Sequence, residues 1–205
     1  MEPEPVSRGA GVAGRVPRLG SRVPSPFKSG PPVAPCVAVR IRKLAEDDID
    51  GICALWKEFA RLREGMTQSK ILNEDAADYF FGYATGLLQR KDTLTLVAEE
   101  NDGGQKELVG YVIASKQRRP PIYRHTKVAY LSDAFVSESH RGQGILKQFM
   151  AELQKWSKNE GITAIDVQLF EANKEAQAIY KTLGFTDYRV VFRQELSEPK
   201  PGGAE

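Results

Sequence analysis

The chain has 205 residues, of which 41% are hydrophobic, and its 29 basic residues nearly balance its 27 acidic ones. This length and apolar content predict one domain with a continuous core and short tails. The basic excess lies within residues 1–37, so the remainder has no clustered basic face for nucleic acid. No apolar run approaches the ~18 residues that cross a bilayer. We therefore expect neither a nucleic-acid partner nor a membrane partner.

Both ends of the chain have the composition of tails. Residues 1–36 hold eight of the twelve prolines, which predicts a disordered Pro/Gly/Arg-rich N-terminal tail because such a segment buries little apolar surface. Residues 197–205, with two prolines and a glycine pair, are predicted to be a flexible C-terminal tail. The folded domain is placed at residues 37–196. We expect a cytoplasmic protein, or an organellar one if the N-terminal tail is a transit peptide.

Cysteine and histidine are scarce. Cys36 lies at the edge of the N-terminal tail, and Cys53 lies inside an apolar helical pattern. The two histidines, His125 and His140, are far from both cysteines in the sequence. Neither a disulfide framework nor the ligand spacing of a zinc site is present, so no metal is expected.

The hydrophobic periodicity changes repeatedly between the tails. In chain order the predicted elements are a strand (37–43), a helix after the acidic run at 46–50, a helix capped by Asn73 that runs toward Arg90, a hairpin (93–99 and 108–115), a strand (127–136), a helix (145–159), a strand (164–170), a helix (174–183) and a last hairpin (185–195). This order, β-α-α-β-β-β-α-β-α-β-β, predicts a mixed α/β fold with helices on both faces of the sheet. The strands on either side of the 145–159 helix should be parallel neighbours, because a helical crossover joins them.

The most informative segment is the loop His140 to Leu146, between a strong strand and a strong helix. Gly142 and Gly144 allow the backbone to turn so that several N–H groups point at one spot at the helix N-terminus. Unpaired donors and the helix dipole favour an anion such as a pyrophosphate there. Arg141 adds a charge-assisted contact. A glycine pair before a helix also occurs as a plain tight connection, and the loop fits neither a Walker loop nor a dinucleotide fingerprint.

Three blocks together resemble the GCN5-related N-acetyltransferase (GNAT) family. They are Tyr130-Leu131-Ser132-Asp133-Ala134-Phe135-Val136, then Arg141-Gly142-Gln143-Gly144-Ile145-Leu146, then the N-x-x-A-x-x-x-Y-x-x-L-G-F pattern from Asn173 to Phe185. The family pattern has Gly or Ala where this chain has Leu146, which is the main departure. The resemblance implies a GNAT-like, centrally splayed sheet flanked by helices, with acetyl-CoA as the acetyl donor.

The resemblance also implies how the cofactor is held. Main-chain groups of Phe135 and Val136 would pair with the pantetheine arm, and a bulged N–H near Phe135 would polarise the thioester carbonyl. Asn173 would cap its helix and face the same arm. The pyrophosphate would bind the backbone of Arg141, Gly142, Gln143, Gly144, Ile145 and Leu146.

Two residues are predicted to be catalytic. In the family the tyrosine that corresponds to Tyr180 donates a proton to the departing thiolate, although plain core packing also accounts for this residue. Asp133 is the first candidate for the general base, because a carboxylate within a strand is costly to bury and because it lies two residues before Phe135. A supporting ion pair is the alternative role for Asp133. Glu171 and Glu99 are further candidates for the base.

The predicted function is therefore direct transfer of an acetyl group from acetyl-CoA to a primary amine of a small molecule or peptide. Nothing in the sequence indicates a nucleophilic cysteine, so no acyl-enzyme is expected. One alternative is a catalytically silent CoA-binding sensor or interaction module. Another is an adaptor that works through the basic N-terminal tail. A homodimer is possible because exposed edge strands of such sheets often pair between chains.

Overall fold

A computed structural model describes residues 39–66, 72–194 and 196. The predicted tails, 1–36 and 197–205, lie outside these ranges. The described elements are β1 (Val39–Lys43), a 3₁₀ turn (Glu46–Asp48), α1 (Ile49–Glu64), α2 (Ala76–Leu87), β2 (Thr93–Asp102), β3 (Gln105–Arg118), β4 (Lys127–Val136), a 3₁₀ turn (Glu138–His140), α3 (Ile145–Asn159), β5 (Ala164–Val167) and α4 (Lys174–Thr182). None of the described helices is both long and apolar enough to cross a membrane.

The five strands form one open sheet in the order β1-β2-β3-β4-β5. Neighbours are antiparallel except β4 and β5, which are parallel and joined by the crossover helix α3, as predicted. The β2–β3 hairpin turns at Gly103 and Gly104, whose φ angles of +58° and +96° suit a tight hairpin loop that other residues rarely adopt. The predicted mixed α/β class with helices on both faces is confirmed.

Each face of the sheet carries its own apolar cluster. Helices α1 and α2 cover one face, where Ile52 and Phe80 pack with Tyr111 and Phe135. Helix α3 covers the other face, where Phe149 packs against the sheet. The alternation of side chains along β2 and β3 supplies both clusters, as expected for strands buried on both sides. The functional consequence is that β4 is accessible to groups from two opposite helical layers.

Two parts of the predicted element order are wrong. Residues 185–194 and 196 form no strand, so the predicted last hairpin (185–195) is not part of the sheet among the described residues. The segment has no Asn-Gly or Asp-Gly turn in its middle, and the four residues of β5 offer a short edge for pairing. The predicted strand 164–170 correspondingly ends at Val167.

The cap of α2 also differs from the prediction. The helix begins at Ala76 with Asp75 as its N-cap residue, and Asn73 contributes only its main-chain carbonyl, 3.2 Å from the Ala76 nitrogen. Asn73 is therefore not a side-chain cap. The helix ends at Leu87, three residues before Arg90.

A buried ionic cluster joins β1 to β2 and to the start of α1. The Arg42 guanidinium donates from Nη2 to Asp48 Oδ1 at 2.8 Å and from Nε to Glu99 Oε2 at 3.0 Å. Both carboxylates are buried, with side-chain exposures of 8% and 6%. Hydrogen bonds from Arg42 hold the pKa of Glu99 below its ordinary value. Glu99, a further candidate for the general base, is therefore occupied by a structural ion pair.

We expect Arg42→Gln to lower the free energy of unfolding at pH 7 by about 2 kcal/mol, because it removes the hydrogen-bonded cation of Asp48 and leaves Glu99 only the Lys106 ammonium, 3.8 Å away. The lowered pKa of Glu99 contributes stability above the ordinary carboxyl pKa, and that contribution disappears as the pH falls through the folded value. The difference from the parent chain should therefore shrink below about pH 4. Denaturant unfolding between pH 3 and pH 7 measures this difference, and Arg61→Gln, at an exposed position of α1, is the control. An equal effect of both changes would contradict the role of the cluster.

Candidate active site

The pairing between β4 and β5 stops halfway along β4. Val128 to Leu131 pairs with Ala164 to Val167, and beyond Leu131 no strand among the described residues pairs with the outer edge of β4. We call the space beside residues 132–136 the β4–β5 gap. An unpaired strand edge presents N–H and C=O groups that an extended ligand can pair with. Of the predicted pantetheine-binding residues, Val136 points its main-chain groups toward this edge, whereas the main chain of Phe135 faces β3, where its carbonyl oxygen lies against Gly110.

A bulge reverses the side-chain direction of β4 at the start of the gap. Ile113 pairs with Asp133 and Ala114 pairs with Leu131, so Ser132 is the extra residue. In consequence Leu131 packs in the α3-face cluster, whereas Phe135 packs in the α1/α2-face cluster. The bulge therefore lies three residues before the predicted position near Phe135. It presents the Asp133 side chain to the face covered by α1 and α2.

Gly110 permits the close approach of β3 to β4 at the gap. A Cβ atom at this position would lie 2.8 Å from the Phe135 carbonyl oxygen, which no ordinary packing allows. A glycine within a strand pattern is a sequence signal for such an approach. Gly110 and Ser132 both shape β4 at the gap, and neither is among the predicted site residues.

The glycine loop lies between the end of β4 and the start of α3. Gly142 and Gly144 have φ angles of +76° and +79°, and Gly144 is the N-cap residue of α3. Within the described part of the chain, no backbone hydrogen bond outside the helix is donated by the N–H groups of residues 142–147. A Cβ added at either glycine would meet open space. Free donors, open space and a helix N-terminus together are the features expected of an anion-binding loop.

Side chains brace this loop against the sheet. Arg141 donates from Nε to the Val136 carbonyl oxygen at 3.2 Å, which ties the loop to the end of β4. His140 Nδ1 lies 2.9 Å from the Ser137 hydroxyl, and its Nε2 lies 3.3 Å from a Glu100 carboxylate oxygen. Gln143 donates to the Ser139 carbonyl oxygen at 3.3 Å. The loop is therefore held at its ends while its central N–H groups stay free.

The remaining predicted cofactor residues are Ile145, Leu146 and Asn173. Ile145 is buried, and the partly buried Leu146 packs against the α3-face cluster, so this side chain is anchored in the core. Asn173 caps α4, because its Oδ1 accepts a hydrogen bond of 3.1 Å from the Ala176 nitrogen. The capping part of the prediction for Asn173 is thus present in the structure.

Asp133 lies in a largely apolar environment with one cation. Burial raises the pKa of Asp133 above its ordinary value, and the Arg63 guanidinium partly opposes this effect. Arg63 Nη1 lies 3.7 Å from Asp133 Oδ1. The same guanidinium lies over two rings, 5.2 Å from the centroid of Phe59 and 5.6 Å from that of Phe170. Arg63 thus bridges α1, β4 and the segment after β5 across the β4–β5 gap.

Tyr180 lies in the α3-face cluster, on the opposite face of the sheet from Asp133. Its ring packs edge-on against Phe185, with centroids 5.2 Å apart. Burial raises the pKa of Tyr180 to about 12, so its hydroxyl stays protonated at neutral pH. This hydroxyl has no hydrogen-bond partner among the described residues. The two predicted catalytic residues therefore belong to different helical layers.

Glu171 is placed less favourably for catalysis than Asp133. Its side chain is 87% exposed and pairs with Lys174 one turn later. An exposed, paired carboxylate has no reason to act as a tuned base. In the described part of the chain, no group of three or more His, Cys, Asp or Glu side chains is arranged to hold a metal ion.

A groove opens between α1 and α2. Its volume is about 360 Å³, and it is walled by the rings of Trp56, Tyr79, Phe80 and Tyr83. We call it the aromatic groove. Burial, followed by the charge of Asp133, raises the pKa of Tyr83 above its ordinary value.

Comparison with known proteins gives a family match over most of the domain. The model of the Acetyltransferase (GNAT) family matches residues 54–185. The uncharacterized N-acetyltransferase YycN of Bacillus subtilis (strain 168) is 27% identical over 92 residues, which is 45% of this chain and 56% of that protein. An aminoglycoside N(6′)-acetyltransferase type 1 of Salmonella typhimurium (strain LT2) is 33% identical over 66 residues, 32% of this chain and 46% of that protein. The chain thus spans about half the length of these curated relatives.

Solved structures share the fold at low sequence identity. The aminoglycoside N-acetyltransferase AAC(6′)-Iy in complex with CoA superimposes with a TM-score of 0.63 at 21% identity, covering 78% of this chain and 96% of that one. A predicted acetyltransferase from Clostridium acetobutylicum with acetyl-CoA superimposes with a TM-score of 0.62 at 19% identity, covering 78% and 97%. These similarities establish the fold of the chain.

Proposed function

The chain belongs to the Acetyltransferase (GNAT) family, and from this premise we propose that it transfers an acetyl group directly from acetyl-CoA to a primary amine of a small molecule or peptide. The observation that carries the proposal is the combination of an unpaired β4 edge with the free N–H groups of the glycine loop. An extended arm that ends in phosphates fits this combination, because the edge pairs with amides and the loop binds an anion.

The residues present fit the cofactor at both of its ends. Gly142 and Gly144 have open space where any side chain would lie, which leaves room for phosphate oxygens next to the loop N–H groups. The predicted pairing with the pantetheine amides fits the main-chain N–H of Val136, while the main chain of Phe135 faces β3 and its ring stays in the core. Acetyl-CoA supplies an activated thioester, so the protein needs to orient the amine and manage protons.

Proton handling is assigned to the two faces of the sheet. On the α1/α2 face, Asp133 accepts a proton from the attacking amine, directly or through water. On the α3 face, the Tyr180 hydroxyl donates a hydrogen bond toward the departing sulfur. Its pKa of about 12 exceeds the value of about 8.5 for an ordinary thiol, so hydrogen-bond donation precedes any proton transfer. The two groups therefore act on opposite sides of the β4–β5 gap.

A covalent acyl-enzyme is not part of the proposal. Cys53 is buried in α1, and burial raises the pKa of its thiol, so it is a poor nucleophile. Cys36 lies outside the described residues. Direct attack by the amine requires no nucleophile from the protein.

Calorimetric titration of the full chain with acetyl-CoA tests the phosphate-binding loop. We expect Gly144→Asp to weaken binding about thirtyfold, because a carboxylate would lie next to the pyrophosphate. Asp tolerates a positive φ better than most residues and suits a helix N-cap, so the variant should stay folded.

Two controls separate charge from backbone strain in this test. Gly144→Asn has the same shape without the charge and should bind more tightly than Gly144→Asp. Gly103→Asp carries the same change into the β2–β3 turn, also at positive φ and in open space, and should bind like the parent chain. Unchanged binding by Gly144→Asp, or no binding by the folded parent chain, would refute the proposed cofactor site. A chain that binds acetyl-CoA but releases no thiol with any amine would instead be a silent CoA-binding module.

A further inference from the structure

A hydrogen-bond network joins the glycine loop to the end of β2. His140 ends the 3₁₀ turn that precedes the loop, and its Nε2 lies 3.3 Å from a Glu100 carboxylate oxygen. On the other side of the ring, Nδ1 lies 2.9 Å from the Ser137 hydroxyl and 2.8 Å from the Ser139 hydroxyl. The imidazole and the carboxylate are mostly buried, with side-chain exposures of 16% and 22%. The network therefore connects two segments that are far apart in the sequence.

The partners of His140 determine which ring nitrogen carries the hydrogen. A carboxylate only accepts hydrogen bonds, so Nε2 donates to Glu100. In the neutral imidazole Nδ1 then accepts, and a serine hydroxyl donates to it. A rotation of the ring would break contacts on both of its edges. His140 is therefore held in one orientation and one tautomer.

The network continues from His140 into the loop. The Ser139 carbonyl oxygen accepts a hydrogen bond of 3.3 Å from Gln143, which lies between the two loop glycines. Gly142 and Gly144 have positive φ angles and open space around them, so the loop needs contacts from other residues to fix its backbone. N–H groups that are already fixed lose less conformational entropy when they bind an anion. The network thus preorganises the free donors of the loop.

We infer that His140 and Glu100 are positioning residues of the cofactor site, which hold the glycine loop in the conformation that binds the pyrophosphate of acetyl-CoA. This inference rests on the proposed function, which places the pyrophosphate at the loop. A partly exposed pair of this kind contributes little to the free energy of unfolding. Its effect is therefore on cofactor affinity rather than on the stability of the fold.

Calorimetric titration of the full chain with acetyl-CoA tests the pair. We expect His140→Ala and Glu100→Ala each to raise Kd about tenfold, since the loop loses its link to β2. The double variant should bind no more weakly than either single variant, because both residues act through one contact. Effects that multiply in the double variant would overturn the inference.

Two control variants are matched to this pair. His125→Ala removes the other histidine, which is also partly buried and also lies next to a hydroxyl, 2.9 Å from Thr163. Glu107→Ala removes the exposed carboxylate that lies opposite Glu100 on β3. Both controls should keep the Kd of the parent chain. A control that weakens binding as much as its matched variant would overturn the assignment.

Conservative replacements identify the contact that matters. Gln at position 140 places its amide nitrogen near the position of Nε2 and can still donate to Glu100, whereas Asn reaches only as far as Nδ1. His140→Gln should therefore recover most of the affinity that His140→Ala loses, and His140→Asn should not. The melting temperatures of both variants should match that of the parent chain. Recovery by His140→Asn alone would show that the link to Glu100 does not position the loop.

The ring nitrogens of His140 give a readout that does not require the cofactor. The chain has two histidines, so His125→Ala assigns the His140 signals in a nitrogen-15 spectrum. At about pH 8, where histidine side chains are ordinarily neutral, we expect the Nε2–H tautomer alone, and a mixture of tautomers in Glu100→Ala. A mixture in the parent chain would overturn this inference and leave the proposed function intact. A single tautomer in a chain that does not bind acetyl-CoA would instead refute the proposed function, and with it the premise of this inference.

Discussion

Replacing Tyr180 with Phe is expected to lower kcat about 10²- to 10³-fold, the usual range for the loss of a positioned proton donor. The hydroxyl has no partner among the described residues, so its removal breaks no protein hydrogen bond. The ring stays packed edge-on against Phe185, and the melting temperature should change little. Acetyl-CoA affinity should also be retained, because the loop and the β4 edge are unaltered. Steady-state kinetics together with calorimetry measure the two effects separately.

The pH dependence of kcat gives a second test of the role of Tyr180. Because burial raises its pKa to about 12, the hydroxyl remains protonated through the neutral range, and a basic limb of the rate profile below about pH 10 must come from another group. Tyr188→Phe, which removes a hydroxyl from a ring that is 65% exposed, is the control. If Tyr180→Phe keeps its full kcat, Tyr180 is a packing residue and the role implied by the resemblance is wrong.

The elements that were predicted correctly are those where the hydrophobic period and the turn residues indicate the same structure. The strand at Lys127–Val136 and the helix at Ile145–Asn159 have the predicted bounds, because a period of two gives way to a period of 3.6 on either side of a glycine loop. The prediction of a last hairpin (185–195) was wrong, because this segment has no turn residue that would support a pair of strands. The predicted N-cap residue of α2 was wrong because Asn73 and Asp75, two residue types that cap helices, lie within three positions of each other.

The site was only partly predictable for a physical reason. The glycine loop is local, so its residues could be found by spacing alone. The cluster of Arg63, Asp133 and Phe170 unites α1, β4 and the segment after β5, which are far apart in sequence, and no local pattern indicates such a contact. The bulge at Ser132 carries no glycine or proline signal of its own. Both features arise from how the strands separate at the β4–β5 gap.

Replacing Asp133 with Asn should lower kcat/KM about 10³-fold if this carboxylate removes the amine proton. Asn has nearly the same shape, so Arg63 keeps its place between the Phe59 and Phe170 rings. Acetyl-CoA affinity should be unchanged, since the Asp133 side chain faces α1 rather than the loop. A loss of thermal stability with full activity would instead identify Asp133 as a structural partner of Arg63.

A change of Arg63 distinguishes a general base at position 133 from a carboxylate that only forms a structural ion pair. Asp133 accepts a proton only when ionised, so kcat/KM falls as the pH drops through its pKa. Burial raises this pKa and the Arg63 guanidinium, 3.7 Å away, lowers it. Arg63→Gln should therefore move the acid limb of the pH profile to higher pH, while the rate at high pH is largely kept. Arg61→Gln, an exposed change on the same helix, should leave the limb in place. An acid limb that does not move in Arg63→Gln would mean that another group is the base, because removing the nearest cation must raise the pKa of a buried carboxyl.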